Sequence, residues 1–131
     1  MVGGKDWASR VTSSVAIPPS GLTTTTVTGP AIDTVNRNGV LFVLQVGTAT
    51  DGTYDITIQD SADGSTGWAT VAAGEQSGAF TQVTSVSDST VQEVDYLPLE
   101  GAARRYVRLL ATVGGAPATG IQLSAVAIAH N

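Results

Sequence analysis

From Leu22 to His130 the chain is a series of short runs rich in β-branched and apolar residues, and no stretch among them keeps a helical period long enough for a stable helix. Turn formers divide the runs at spacings of roughly ten residues, which is the rhythm of an all-β sandwich or barrel. "LTTTTVTG" (22–29) stops at Gly29-Pro30, and "VLFVLQVG" (40–47) is continuously apolar, as expected of a strand at a sheet centre. Asp51-Gly52 then leads into "TYDITIQDS" (53–61), where Tyr54, Ile56 and Ile58 alternate with polar residues. A two-residue turn of this kind predicts a hairpin between 40–47 and 53–60. Weaker strands are expected at 68–72, 79–86 and 91–96. A second hairpin is expected from "RRYVRLLATV" (104–113) and "IQLSAVAIAH" (121–130), joined across the Gly/Ala/Thr-rich segment 114–120.

Residues 1–21 lack a sustained period and end in Pro18-Pro19-Ser20-Gly21, which favours an extended chain. They are expected to form an N-terminal arm ahead of a single domain at 22–131. The arm carries Trp7 and the short apolar patch Val15-Ala16-Ile17, and aromatic anchors are typical of binding hot spots. Trp7, Val15 and Ile17 are therefore the candidate partner-binding residues.

The length of 131 residues suits one domain with one core. Only 13% of residues are charged, against ~25% in an average soluble domain. A surface so poor in charge suits a subunit whose faces are covered by neighbours. The net charge of −5 and the single lysine, Lys5, argue against nucleic acid as a partner. There is no cysteine, hence no thiolate metal site, and no apolar run of the ~20 residues a membrane helix needs. A soluble chain made in the cytosol is expected, with no membrane partner.

Catalysis finds little support in the residue types. The one histidine, His130, lies at the penultimate position, where a triad imidazole would be poorly fixed, and it is expected to be the solvated end of the last strand. Carboxylates are scattered, and the two Trp, three Tyr and two Phe leave few platforms for a sugar. No enzyme activity and no cofactor are therefore expected. "DSADGSTG" (60–67) offers Asp60 and Asp63 as weak calcium candidates. Calcium prefers 6–8 oxygens, so the segment is read as a corner between strands, with Asp and Gly at the turn positions. Arg104, Arg105 and Arg108 form the only basic cluster, but Arg105 and Arg108 should point to opposite faces of a strand.

Taken in order, "GPAIDTV", "VLFVLQVGTATDGTYDITIQDSADGSTGWATV" and "RRYVRLLATVGGAPATGIQLSAVAIAH" resemble a group of small virion proteins of tailed bacteriophages, over about residues 29–130. The resemblance implies a non-enzymatic head-associated protein: a capsid decoration or cement subunit, or an accessory part of the head. The expectation is a subunit that docks on the major capsid protein and forms a homo-oligomer around a capsid symmetry axis in the virion. "YDITIQDSADGSTGW" with "RRYVRL" is also similar to discoidin-type, galactose-binding jelly rolls, whose loops at one end of the sandwich grip a glycan. The loops 47–52 and 114–120 of this chain have no aromatic residue, so this second likeness speaks more to fold than to ligand. The expected fold is an antiparallel β-sandwich of jelly-roll type with an extended N-terminal arm. A virion-displayed glycan-binding module is the alternative function.

Overall fold

The computed structural model describes residues 6–98 and 104–131. Among the described residues, a 3-10 turn at Ala8–Arg10 precedes nine strands: β1 (Val11–Ile17), β2 (Val27–Thr28), β3 (Ile32–Asp33), β4 (Gly39–Ala49), β5 (Thr53–Ser61), β6 (Ala69–Thr70), β7 (Val91–Tyr96), β8 (Tyr106–Gly114) and β9 (Ile121–His130), with a second 3-10 turn at Ala73–Glu75 between β6 and β7. They form two antiparallel sheets. The first, here sheet A, runs β1-β9-β4-β7; the second, sheet B, runs β2-β8-β5-β6, with β3 also pairing to β8. If β2 and β3 are counted as two halves of one interrupted strand, the chain changes sheet at every link except β5 to β6. That alternation is the jelly-roll path, and the expected sandwich is what forms.

Both expected hairpins are corrected. β4 pairs with β7 and β9, whereas β5 pairs with β8 and β6, so Asp51-Gly52 carries the chain from one sheet to the other. The segment 114–120 does the same between β8 and β9. The physical reason is visible in one side chain. The Asp51 carboxylate accepts N–H bonds from Ala118 (2.8 Å), Thr119 (3.0 Å) and Gly120, fastening the two crossovers to each other. No strand forms over 79–86 either. There Val83 makes one isolated bridge to Tyr54, and the Gln92 side chain takes the place of a strand by bonding to Thr81 N and O.

The core lies between the sheets. Val40, Phe42, Leu44 and Val46 of β4 point inward, as do Tyr54, Ile56 and Ile58 of β5, Val107, Leu109 and Ala111 of β8, and alternate residues of β9 from Ile121 to Ala129. Phe42 sits beside Ala127, and Leu44 beside Ala125, so small residues on β9 make room for large ones on β4. The continuous apolar run at 40–47 therefore alternates in burial after all.

Of the arm expected at 1–21, residues 1–5 lie outside the described residues, Ala8–Arg10 is a 3-10 turn, and Val11–Ile17 is a strand of sheet A paired to β9. The ladder breaks between Val15 and Ile17, and this bulge turns Ala16 and Ile17 into the core. Gly29 lies against the Ala16 carbonyl, so closely that a Cβ there would overlap it. Ile17, 1% exposed, is thus a core residue and is unavailable to a partner within this fold.

Candidate interaction surface

The outer face of sheet A is built by register. One row across the strands reads Val15, Val126, Val43, Glu93, and the next reads Ser13, Ile128, Leu41, Asp95. Five apolar side chains therefore meet on the solvent side of one sheet, with Val15 47% and Val126 42% exposed. On β9 the usual size order is reversed: Ala125, Ala127 and Ala129 face the core, while Val126 and Ile128 face out. Putting methyl-rich side chains outside forgoes burial of roughly 25 cal/mol per Å² unless something else covers them. Toward the crossover end the face turns polar, around a shallow depression of ≈ 190 Å³ bordered by Ser20, Gln45, Gly47, Gln122 and Ser124.

Acidic residues and His130 rim the apolar rows. Contrary to expectation, His130 is not a solvated strand end. It is half-buried, and its Nε2 lies 2.8 Å from Asp95 Oδ1, spanning β4 at Gly39. A Cβ at Gly39 would stand 2.9 Å from the His130 ring, so glycine is needed there for the ring to cross.

Of the arm residues singled out from the sequence, Val15 belongs to this face. Trp7, 73% exposed, stands just ahead of β1. Leu41, Val43, Val126 and Ile128 were missed, because two apolar runs without polar alternation do not declare which side faces water. The reversed alternation of Ala with Val and Ile in "SAVAIAH" was the available signal.

The corner at 60–67 is closed on itself. Asp63 Oδ1 accepts N–H bonds from Ser65 and Thr66, both 2.8 Å, and Oδ2 accepts the Thr66 hydroxyl, also at 2.8 Å. The backbone N–H groups of Thr66 and Ser65 hold this carboxyl well below the usual carboxylate range. Gly64 and Gly67 supply the positive φ values of 78° and 68°. Asp60 points the other way, into the sandwich end, where burial raises its carboxyl although Arg104 Nε lies 3.9 Å away. The two candidate calcium ligands thus face apart, and among the described residues no three His, Cys, Asp or Glu side chains gather as a metal site would require. Glu75 is the other buried carboxylate there. Between them the Tyr96 phenol is pushed up to about 12, by burial first and then by the charges of Asp60 and Glu75.

The three arginines separate. Arg105 makes a two-pronged pair with Asp33 (2.8 and 2.7 Å), tying β3 to the start of β8. Arg108 bonds Gln59 at 2.9 Å and lies 4.1 Å over the Trp68 ring. Arg104 reaches the Gly67 carbonyl at 2.6 Å. The loops 47–52 and 114–120 do share one end of the sandwich, but their polar contacts are spent on each other through Asp51. No described helix is long and apolar enough to cross a membrane. No protein-family model, curated protein or solved structure matches the chain.

Proposed function

We propose that this chain is a non-enzymatic structural subunit of a tailed-phage head, a decoration or cement protein that docks on the lattice of the major capsid protein and stabilises the shell. The observation that carries the reading is the outer face of sheet A. Val15, Val126, Val43, Ile128 and Leu41 form an apolar field on a chain with 13% charged residues. Docking there removes apolar area from water, and a stable contact needs about 800 Å² per partner. A subunit that binds the assembled shell and not its free components stabilises the shell by mass action. Jelly rolls serve both as capsid proteins and as lectins, so the fold leaves the choice to the surface. A broad apolar sheet face suits a protein lattice better than a sugar.

The test is co-sedimentation of the purified protein with undecorated heads of a phage that encodes it. Removing residues 1–21 would take β1 out of sheet A and Ala16 and Ile17 out of the core, so a surface substitution is the cleaner probe. Wild type should bind saturably, and Val126→Asp should lose binding by a factor of about ten or more, as expected for a charge buried without a partner. Thr112→Asp, on the exposed side of sheet B, should bind as wild type does. Absence of wild-type binding, or full binding by Val126→Asp, refutes this docking face.

A further inference from the structure

A sheet edge offers a row of unpaired N–H and C=O groups, and proteins normally shorten, charge, interrupt or cover it. Three of the edges here follow that rule. β6 is two residues long, and the opposite border of sheet B consists of the two-residue strands β2 and β3. β7 carries Glu93 and Asp95 and is covered by the segment before it: Leu97 N–H donates to Glu75 O (2.7 Å), Ser77 N–H to Asp95 O (2.9 Å), and Asp95 N–H to Ser77 Oγ (2.9 Å).

β1 breaks the rule. Its stretch Val11–Val15 has no charge and no proline, and Thr12 to Val15 are all exposed. Its only strand partner is β9, and no other backbone hydrogen bond reaches this stretch among the described residues. Beside it runs a groove of ≈ 410 Å³, bordered by Thr12, Ser14, Pro30, Ile32, Val35 and Arg37.

We infer that two copies of this chain pair edge to edge through β1, antiparallel about a two-fold axis at Ser13, joining their two four-stranded sheets into one. The occupant is a second copy because the sequence of the edge is complementary to its own reverse. With Ser13 opposite Ser13 of the second copy, Val11 falls opposite Val15, and Thr12 opposite Ser14. Valine meets valine on the outer face, extending the row Val43–Val126–Val15 across the axis. Hydroxyl meets hydroxyl on the inner face, where the groove has room for small side chains. Both chains carry −5, yet no residue of the paired stretch is itself ionisable; Arg37 reaches it from the inner side, where its guanidinium donates to the Thr12 hydroxyl. An isologous two-fold contact of this kind closes after two copies. A contact of five residues per chain buries on the order of a few hundred Å² on each side, below the ~800 Å² of a stable complex. The pairing in free solution is consequently weak, and covalent capture is the appropriate readout. The inference rests on the edge alone, so head binding and edge pairing stand or fall separately.

The chain has no cysteine, so single-cysteine variants of the full chain report cleanly. Across an antiparallel pair, opposed Cα atoms are about 4.5–5.5 Å apart, within disulfide reach. Under mild oxidation, with rates normalised to each thiol's alkylation rate, Ser13→Cys should form a disulfide dimer about tenfold or more faster than the exposed control Thr112→Cys, because pairing raises the effective thiol concentration. Adding Val15→Lys, an edge-blocking charge at an exposed position, should return Ser13→Cys to the control rate. A Ser13→Cys rate equal to that of Thr112→Cys, a faster Ser14→Cys than Ser13→Cys, or indifference to Val15→Lys overturns the pairing.

Discussion

Asp51 at one end of the sandwich and the pair Asp60 and Glu75 at the other are carboxylates used in opposite ways. At the crossover end, Asp51 stays near solvent and accepts N–H bonds from Ala118, Thr119 and Gly120, replacing partners that a hairpin ladder would have given those groups. At the other end, Asp60 and Glu75 are buried beside Tyr96, where the Glu75 Oε2 atom finds no hydrogen-bond partner among the described residues and the Tyr96 hydroxyl makes no full hydrogen bond, with only the Arg104 backbone N–H near it. The first arrangement satisfies backbone groups and the second leaves polar atoms stranded. An acid thus strengthens this fold where it completes the main chain's bonding, and weakens it where it only loses water.

The largest effect should come from breaking the fastening at the first end. Asp51→Ala frees three N–H groups, and the melting temperature should fall by on the order of 5 °C or more. The pH dependence has a definite sign. The bonds from Gly120 and Ala118 lower the Asp51 carboxyl, so its contribution is present above the unfolded value near 3.8 and disappears as pH falls through the folded value. The gap between wild type and variant should therefore narrow as pH falls below 3.8, as thermal melts at stepped pH would reveal; a gap that does not narrow in acid would contradict the assignment.

Each end also buries one tyrosine completely, which allows a matched pair of changes. The Tyr54 hydroxyl donates to Thr25 O at 2.7 Å, so Tyr54→Phe should cost about 1 kcal/mol in urea unfolding. The Tyr96 hydroxyl, which makes no full hydrogen bond, should be removable at a cost of under about 0.5 kcal/mol, or with a gain. Because the Tyr96 phenol is raised, its contribution is complete below 10 and is lost as pH rises through about 12. Tyr96→Phe should accordingly gain on wild type over that window. Equal costs at the two positions would show that the ends do not differ in this way.

The smallest change should be the one of opposite sign. Burial raises Asp60, so whatever stability its protonated form contributes is present below 3.8 and is lost as pH climbs through the folded value. Asp60→Asn should melt at or slightly above wild type at pH 7, with the difference vanishing near pH 3. A clear loss at pH 7 would mean that the Arg104 attraction outweighs burial.

The strands were largely legible in the sequence and their partners were not. "IQLSAVAIAH" forms β9 over its whole length, and 91–96 forms β7 as expected. Asp51-Gly52 and Gly114–Gly120 correctly announced reversals of the chain. A turn signal is local, however, and says nothing about whether the next strand stays in the same sheet. The deciding contacts lie between Asp51 and residues 67 to 69 positions further on. The arm failed for a comparable reason. Val15 and Ile17 share a parity, so simple alternation puts them on one face, and only the bulge between them sends Val15 out and Ile17 in. The apolar face of sheet A stayed hidden because side-chain size on β9 runs against the common inside-outside order.

The jelly-roll path also governs how the molecule can be made. Among adjacent strands in the chain only β5 and β6 pair, so almost no ladder can close between neighbours as the polypeptide emerges. β1 is synthesised first and its partner β9 last, about a hundred residues later. Such a topology folds slowly, because distant segments must meet before any contact repays the loss of chain entropy. Until β9 leaves the ribosome, β1 is a neutral, β-branched ribbon with both borders open. In that interval chaperones, or a strand from another nascent chain, compete for it, and expression yield should depend on Thr12–Val15 more than the stability of the finished fold does.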